Sequence, residues 1–230
     1  MNIAVILAAG SGTRTGMEIP KQFVEVDGQL VIEYSMATFQ AHPDIDEIAV
    51  VTSEAYIQQI EQLHQKGRYP KLKKILLGGA ERYQSSWNAI QAYANKPEAV
   101  LLIHDAARPL ISKAVITKVV ETMRNSNAAI VAVPASDTVI HSFDHQHIAD
   151  IPPRKEMYYA QTPQAFRVKT IQRAFELGLQ DACFNPTDDS GVLLHYLPEE
   201  PIVIVEGESV NRKITYKDDL LWFTSQISNR

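Results

Sequence analysis

The chain has a single cysteine, Cys183, among its 230 residues. An intrachain disulfide is excluded, and no His with Asn or Asp is placed beside Cys183 to make it a nucleophile, so a packed or loop thiol is expected. Long apolar runs are also missing. The longest reach about seven residues, against the ~20 that a membrane-crossing helix needs. Nor is there an excess of positive charge: Lys and Arg number 22 against 27 Asp and Glu, for a net charge of −5. That balance leaves no footprint for nucleic acid or an anionic membrane. No Gly-Lys-Ser or Gly-Lys-Thr occurs, so a P-loop is excluded. The N-terminus enters an apolar run at once, without the pattern of a signal peptide, and a cytoplasmic location is the expectation.

What is present is the composition of a globular protein, 45% hydrophobic and 21% charged, and residues 1–230 read as a single domain. Strand-like apolar runs at Ile3–Leu7, Glu47–Thr52, Lys74–Leu77, Ala99–Ile103, Ala129–Val133 and Ile202–Val205 alternate with helix-like segments near 31–41, 54–66, 82–95, 112–125, 168–178 and 217–228. Ser53 and Thr215 are read as N-caps, each followed by acidic residues. This βαβ rhythm predicts an α/β fold with a doubly wound, mostly parallel sheet and helices on both faces. Ligands of such sheets sit at the carboxyl ends of the strands.

One segment breaks the rhythm. Thr138–Phe143 and Ile148–Ile151 flank the polar stretch Asp144-His145-Gln146-His147 and read as a β-hairpin arm, about 138–154, inserted after the fifth strand. A lone hairpin is marginal in water, so packing on a partner subunit is expected to stabilise it. His141, His145 and His147 lack a fourth ligand at metal spacing and read as a solvated tip.

The richest stretch is Leu7-Ala8-Ala9-Gly10-Ser11-Gly12-Thr13-Arg14, followed by Pro20-Lys21-Gln22. Small residues after a buried strand let backbone approach a ligand closely, and Arg14 and Lys21 bring two positive charges to the same loop. That suits a triphosphate, whose reacting phosphorus gathers charge in the transition state. A dinucleotide fingerprint would need its third glycine at Thr15, which argues against a nicotinamide-dependent oxidoreductase.

Four more motifs fall in loops: Gly78-Gly79-Ala80-Glu81-Arg82-Tyr83-Gln84-Ser85; His104-Asp105-Ala106-Ala107-Arg108-Pro109; Asp137-Thr138 with Arg154 and Gln161-Thr162-Pro163-Gln164; and Asn211-Arg212-Lys213-Ile214-Thr215. Taken singly they are weak, since a Gly-Gly pair is usually a turn and Asp105 with Arg108 is often a structural ion pair. In this order and spacing the chain resembles the cytidylyltransferase family that includes 2-C-methyl-D-erythritol 4-phosphate cytidylyltransferase and the ribitol 5-phosphate cytidylyltransferases. The resemblance runs from Ile3 to about Leu220.

The resemblance implies a Rossmann-like nucleotidyltransferase that transfers CMP from CTP to a polyol phosphate and releases pyrophosphate. It implies catalytic roles at the phosphates for Arg14, Lys21 and Lys213, and nucleotide contacts from Ala8, Ala9, Gly10, Gly79, Ser85 and Ala106. Asp105, Arg108, Thr138, Arg154 and Thr162 would hold the alcohol phosphate, with Thr138 and Arg154 reaching the neighbouring subunit's site in a homodimer. Magnesium would be the cofactor, held mainly by substrate phosphates, with no dedicated protein ligands.

Two alcohols are implied. Ala8-Ala9-Gly10 and His104–Pro109 look like the isoprenoid-pathway enzyme, so methylerythritol phosphate leads. Ile151–Tyr159 and Leu197-Pro198-Glu199-Glu200 look like the ribitol branch, making ribitol 5-phosphate or another alditol phosphate the alternative. A nucleotide-binding protein without catalysis is a remoter reading. Arg212 stands where the family usually has isoleucine, and Ala80 where many members carry an acid.

Overall fold

The computed structural model describes residues 1–10 and 19–228; Arg14 therefore lies outside the described residues. These form nine strands and seven α-helices. The strands are β1 (Asn2–Ala8), β2 (Glu25–Val26), β3 (Gln29–Leu30), β4 (Glu47–Thr52), β5 (Leu72–Leu77), β6 (Val100–Asp105), β7 (Ala128–Pro134), β8 (Tyr158–Arg167) and β9 (Ile202–Glu206). The helices are α1 (Val31–Gln40), α2 (Glu54–Gln65), α3 (Arg82–Ala92), α4 (Lys113–Thr122), α5 (Val168–Gly178), α6 (Asp189–Tyr196) and α7 (Lys217–Ser228).

Seven strands make one sheet in the order β5-β4-β1-β6-β8-β7-β9, and β2 and β3 form a separate small hairpin. Every neighbouring pair in the large sheet is parallel except β6/β8 and β8/β7. Six of the seven were legible as apolar runs: β1, β4, β6 and β7 are largely buried on both faces, while the edge strands β5 and β9 keep an apolar sequence although they are partly exposed. Alternate residues of β1 serve opposite layers. Ala4, Ile6 and Ala8 pack with α1, α2 and α4 on one face. Ile3, Val5 and Leu7 pack with α3, α5 and α6 on the other. The chain leaves β1 toward β4 and β5, then returns to the far side of β1 as β6. The carboxyl ends of β1 and β6 thus frame the crevice where winding reverses.

Three expectations meet a different outcome. Strand β8 was not foreseen. It enters antiparallel between β6 and β7, pairing Ile103 with Gln164 and Ala132 with Ala160. Helix α6 was also unforeseen; it is eight residues long and is capped by Asp188, whose Oδ1 accepts from Gly191 N at 2.8 Å. The arm is not a two-stranded hairpin in this chain. One antiparallel bridge, His141 with Asp150, closes it, and Asp144 gathers the Gln146 and His147 amides at its tip. Its apolar side chains Ile140, Phe143, Ile148 and Ile151 are all exposed, Phe143 by 81%, although the His141 ring lies edge-on to Phe143 at 4.5 Å.

The N-caps differ too. Ser53 occupies the cap of α2 without a side-chain bond. At α7 the work passes from Thr215 to Asp219, whose Oδ2 accepts from the backbone amides of Thr215 and Tyr216 at 2.8 and 2.9 Å.

Candidate active site

A cavity of about 250 Å³ opens at the carboxyl ends of β1, β5 and β6. Leu7, Ala9, Gly10, Lys21 and Gln22 form one wall; Gly79–Arg82 and Ser85 form a second. Asp105, Ala107 and Lys213 complete it. Its position follows from the strand order.

The two loops on either side meet where Gly78 faces the Ala9 methyl. A Cβ on Gly78 would lie 2.2 Å from the Cβ of Ala9, so only glycine lets the loop after β5 lie against the loop after β1. Gln22 braces the first loop, its Nε2 donating to the carbonyls of Ala8 and Gly10, both at 2.7 Å. Ser85 braces the second, its Oγ accepting from Gly79 N at 3.1 Å. Lys21, in a 3-10 turn directly before Gln22, is thereby held at the cavity wall.

Charge is concentrated at the floor. Asp105 pairs with Lys213, whose Nζ lies 2.6 Å from Oδ2, and with Arg82, whose Nε lies 3.3 Å from Oδ1. Burial alone would raise the Asp105 carboxyl, but the charges of Arg82, Lys213 and Arg108 outweigh it and hold the acid well below the usual carboxylate range. Arg82 also reaches Asp189 at 2.8 Å; burial works against its charge, and the two acids more than restore it. No Asp105–Arg108 ion pair stands among the described residues, although the Arg108 charge still helps lower the Asp105 carboxyl. Arg108 instead spans the chain, donating to the carbonyls of Asn211 at 2.9 Å and Ala160 at 3.1 Å.

Polar residues of β8 brace this floor. Thr162 Oγ1 accepts from Asp105 N at 3.1 Å and lies 3.1 Å from His104 Nδ1. The other imidazole nitrogen, Nε2, faces the carbonyl of Arg108 at 3.0 Å. A carbonyl only accepts, so Nε2 carries the proton and Nδ1 accepts from Thr162. The ring is neutral, and burial pushes its pKa down to about 4. Gln161 donates to Glu208 O at 3.0 Å and accepts from Asn211 Nδ2 at 3.2 Å. Gln164 donates to Asp188 and accepts from Ser190 N, fixing the start of α6. The segment carrying Lys213 is pinned at both ends, by buried Asn211 and by Ile214 N donating to Ala107 O at 2.8 Å. Between them Arg212 turns outward to Asp219 and lies over the Trp222 ring.

Of the residues expected to act, Ala9, Gly10, Lys21, Gly79, Ser85, Asp105 and Lys213 line one cavity. Ala8 and Ala106 are buried behind it. Arg108 and Thr162 are tied into its frame, Thr162 with its hydroxyl engaged on both sides. Thr138 and Arg154 are exposed and outside its walls; Arg154 Nη1 lies 3.4 Å from Ser136 O. Cys183 is exposed in a loop. Sequence reasoning left three residues unassigned. Gln22 and Arg82 stood inside motifs already noticed, but Asp189 had no local signal.

The family model described as 2-C-methyl-D-erythritol 4-phosphate cytidylyltransferase matches residues 2–227. The chain belongs to that family. Among curated members of the 2-C-methyl-D-erythritol 4-phosphate cytidylyltransferase family, that of Thermobifida fusca is 42% identical over 94% of this chain and 89% of its own length. A bifunctional ribulose 5-phosphate reductase/CDP-ribitol pyrophosphorylase of Haemophilus influenzae is 40% identical over 95% of this chain, which spans 46% of that longer protein. The crystal structure of 4-diphosphocytidyl-2C-methyl-D-erythritol synthase from Anaerococcus prevotii superposes with a TM-score of 0.86 at 30% identity, covering 99% of this chain and 96% of that one.

Proposed function

We propose that this chain is a cytoplasmic, CTP-dependent cytidylyltransferase that transfers CMP to 2-C-methyl-D-erythritol 4-phosphate and releases pyrophosphate. Its family membership supports the reaction. The observation that carries the reading at the level of the site is the convergence of Lys21, Arg82 and Lys213 on one cavity walled by the small residues Ala9, Gly10 and Gly79.

A phosphate monoester oxygen is already a competent nucleophile at neutral pH, so the reaction needs no strong general base. The protein has to align that oxygen with the α-phosphorus and offset the charge that spreads over the phosphoryl oxygens. In this reading Lys21, beside the braced Ala8–Gly10 loop, meets the nucleotide phosphates. Lys213 lines the same cavity beside Asp105, which is an ionised acceptor for a substrate hydroxyl. Backbone and Ser85 of the second wall suit a cytosine. Among the described residues no group of three or more His, Cys, Asp and Glu stands together as a metal cage. Glu81 and Asp105 line the cavity, and Asp105 already answers two cations. That donor set fits magnesium held chiefly by substrate phosphates, where it would neutralise part of the triphosphate charge.

The exposed apolar arm supports a homodimer in which Thr138 and Arg154 serve the partner's cavity; among the described residues no helix is long and apolar enough to cross a membrane. D-ribitol 5-phosphate is the second reading, favoured by the Haemophilus relative, whose identity to this chain nearly equals that of the Thermobifida protein. The test is pyrophosphate release from CTP with each alcohol phosphate. The expected result is a kcat/KM at least tenfold higher with methylerythritol phosphate. The reverse preference would assign ribitol phosphate, and no release with either would overturn the reaction.

A further inference from the structure

Four charges run in a line from the cavity into the protein. Lys213 Nζ meets Asp105 Oδ2 at 2.6 Å, Arg82 Nε meets Asp105 Oδ1 at 3.3 Å, and Arg82 Nη1 meets Asp189 Oδ2 at 2.8 Å. Signs alternate; burial raises the Asp189 carboxyl, and the Arg82 guanidinium beside it favours its charged form. Its two ends differ. Asp189 is completely buried at the start of α6, behind the cavity wall. Lys213 is about one-third exposed, on a flexible four-carbon stem.

A substrate phosphate that draws Lys213 toward itself takes that partner from Asp105. A buried carboxylate that loses its only partner is strongly disfavoured. Here it keeps a partner, because Arg82 stays, with Arg108 also nearby. Arg82 in turn is kept from following an incoming phosphate by its hold on Asp189. We propose that Asp189 and Arg82 are positioning residues for the reaction proposed above: Asp189 fixes Arg82 as the standing counter-ion of Asp105, so that Lys213 is released to the substrate while Asp105 remains an anion. The inference rests on that reaction and on the phosphate-facing role of Lys213.

The test is a double-mutant cycle read in steady-state turnover. Asp189→Asn keeps the size of the side chain and removes its charge. In the wild-type background it is expected to lower kcat tenfold or more while changing KM for CTP by less than threefold. In a Lys213→Ala background there is no lysine to release, so the same substitution is expected to lower kcat by less than threefold. A merely structural role would reduce activity by the same factor in both backgrounds, and that result, or a kcat within twofold of wild type for Asp189→Asn, overturns the proposal. If Asp189→Asn fails to fold, Arg82→Lys replaces it, since a lysine keeps the charge but cannot bridge both acids. Its loss of kcat must likewise vanish in the Lys213→Ala background. Wild-type protein inactive with both alcohol phosphates would bring down the proposed reaction and this inference with it; additive losses in an active enzyme would overturn the inference alone.

Discussion

Replacing Gly78 by alanine tests how the two cavity loops are held together. The added Cβ would sit 2.2 Å from the Cβ of Ala9, 3.0 Å from Ser85 Oγ and 3.5 Å from Thr52 O. An ordinary carbon–carbon contact is about 3.5 Å, so the two loops would have to part by more than about 1 Å. Neither methyl group can rotate away, and Gly78 is anchored through its amide to Thr52 O at 2.8 Å. The movement therefore falls on backbone that carries Ala9, Gly79 and Ser85 at the cavity wall. A misplacement of ~1 Å costs about 10²-fold in rate. Overpacking of this kind costs about 2 kcal/mol, which lowers Tm by roughly 4–8 °C in a chain of this size. Turnover of CTP with the alcohol phosphate and a thermal melt measure the two effects. Wild-type kcat/KM together with wild-type Tm would refute the claim that close approach of the two loops builds the site.

Three further outcomes are expected. Lys21→Ala should lower kcat by about two orders of magnitude; a rate within threefold of wild type at unchanged Tm would remove Lys21 from the phosphate site. Stability should fall as pH drops from about 6.5 to about 4, because neutral His104 has a depressed pKa and the unfolded chain binds the extra proton across that window. The gap amounts to about 3 kcal/mol, and an NMR titration of His104 centred near its ordinary value would contradict it. Mixing Lys21→Ala with Arg154→Ala subunits should restore up to roughly a quarter of wild-type activity if each site borrows the partner's arm; no recovery after verified subunit exchange would rule out a shared site.

The parallel strands were readable because burial on both faces leaves uninterrupted runs such as Ile3–Leu7 and Glu47–Thr52, the latter matching β4 residue for residue. Strand β8 was hidden by its own composition. Gln161, Thr162 and Gln164 are polar and Pro163 interrupts the run, yet the strand lies inside the sheet because its polar groups find partners on Asp105, Asn211, Asp188 and Ser190. Those partners lie 24 to 57 residues away, beyond the reach of any local pattern. The same holds for Arg82 and Asp189, separated by 107 residues. Lys21, Gly79 and Asp105 stand in loop motifs near strand ends, whereas Lys213 is assigned only through the resemblance to the family. Arg212, noticed only as a departure, proves to be an outward clamp on α7.

The ion pair between Asp105 and Lys213 joins positions 108 residues apart. All nine strands are complete by Glu206. The strand framework is thus laid down before the lysine that completes the cavity, and the segment that follows does more than carry Lys213. Asn211 satisfies Gln161 and Thr162 of β8, and Ile214 and Phe223 fill a further core cluster with Val26, Val31 and Leu110. A polypeptide cut short between Glu206 and Asn211 would lose the lysine, the partner of these β8 groups and that cluster together, so the C-terminal segment ties catalytic competence to the integrity of the fold.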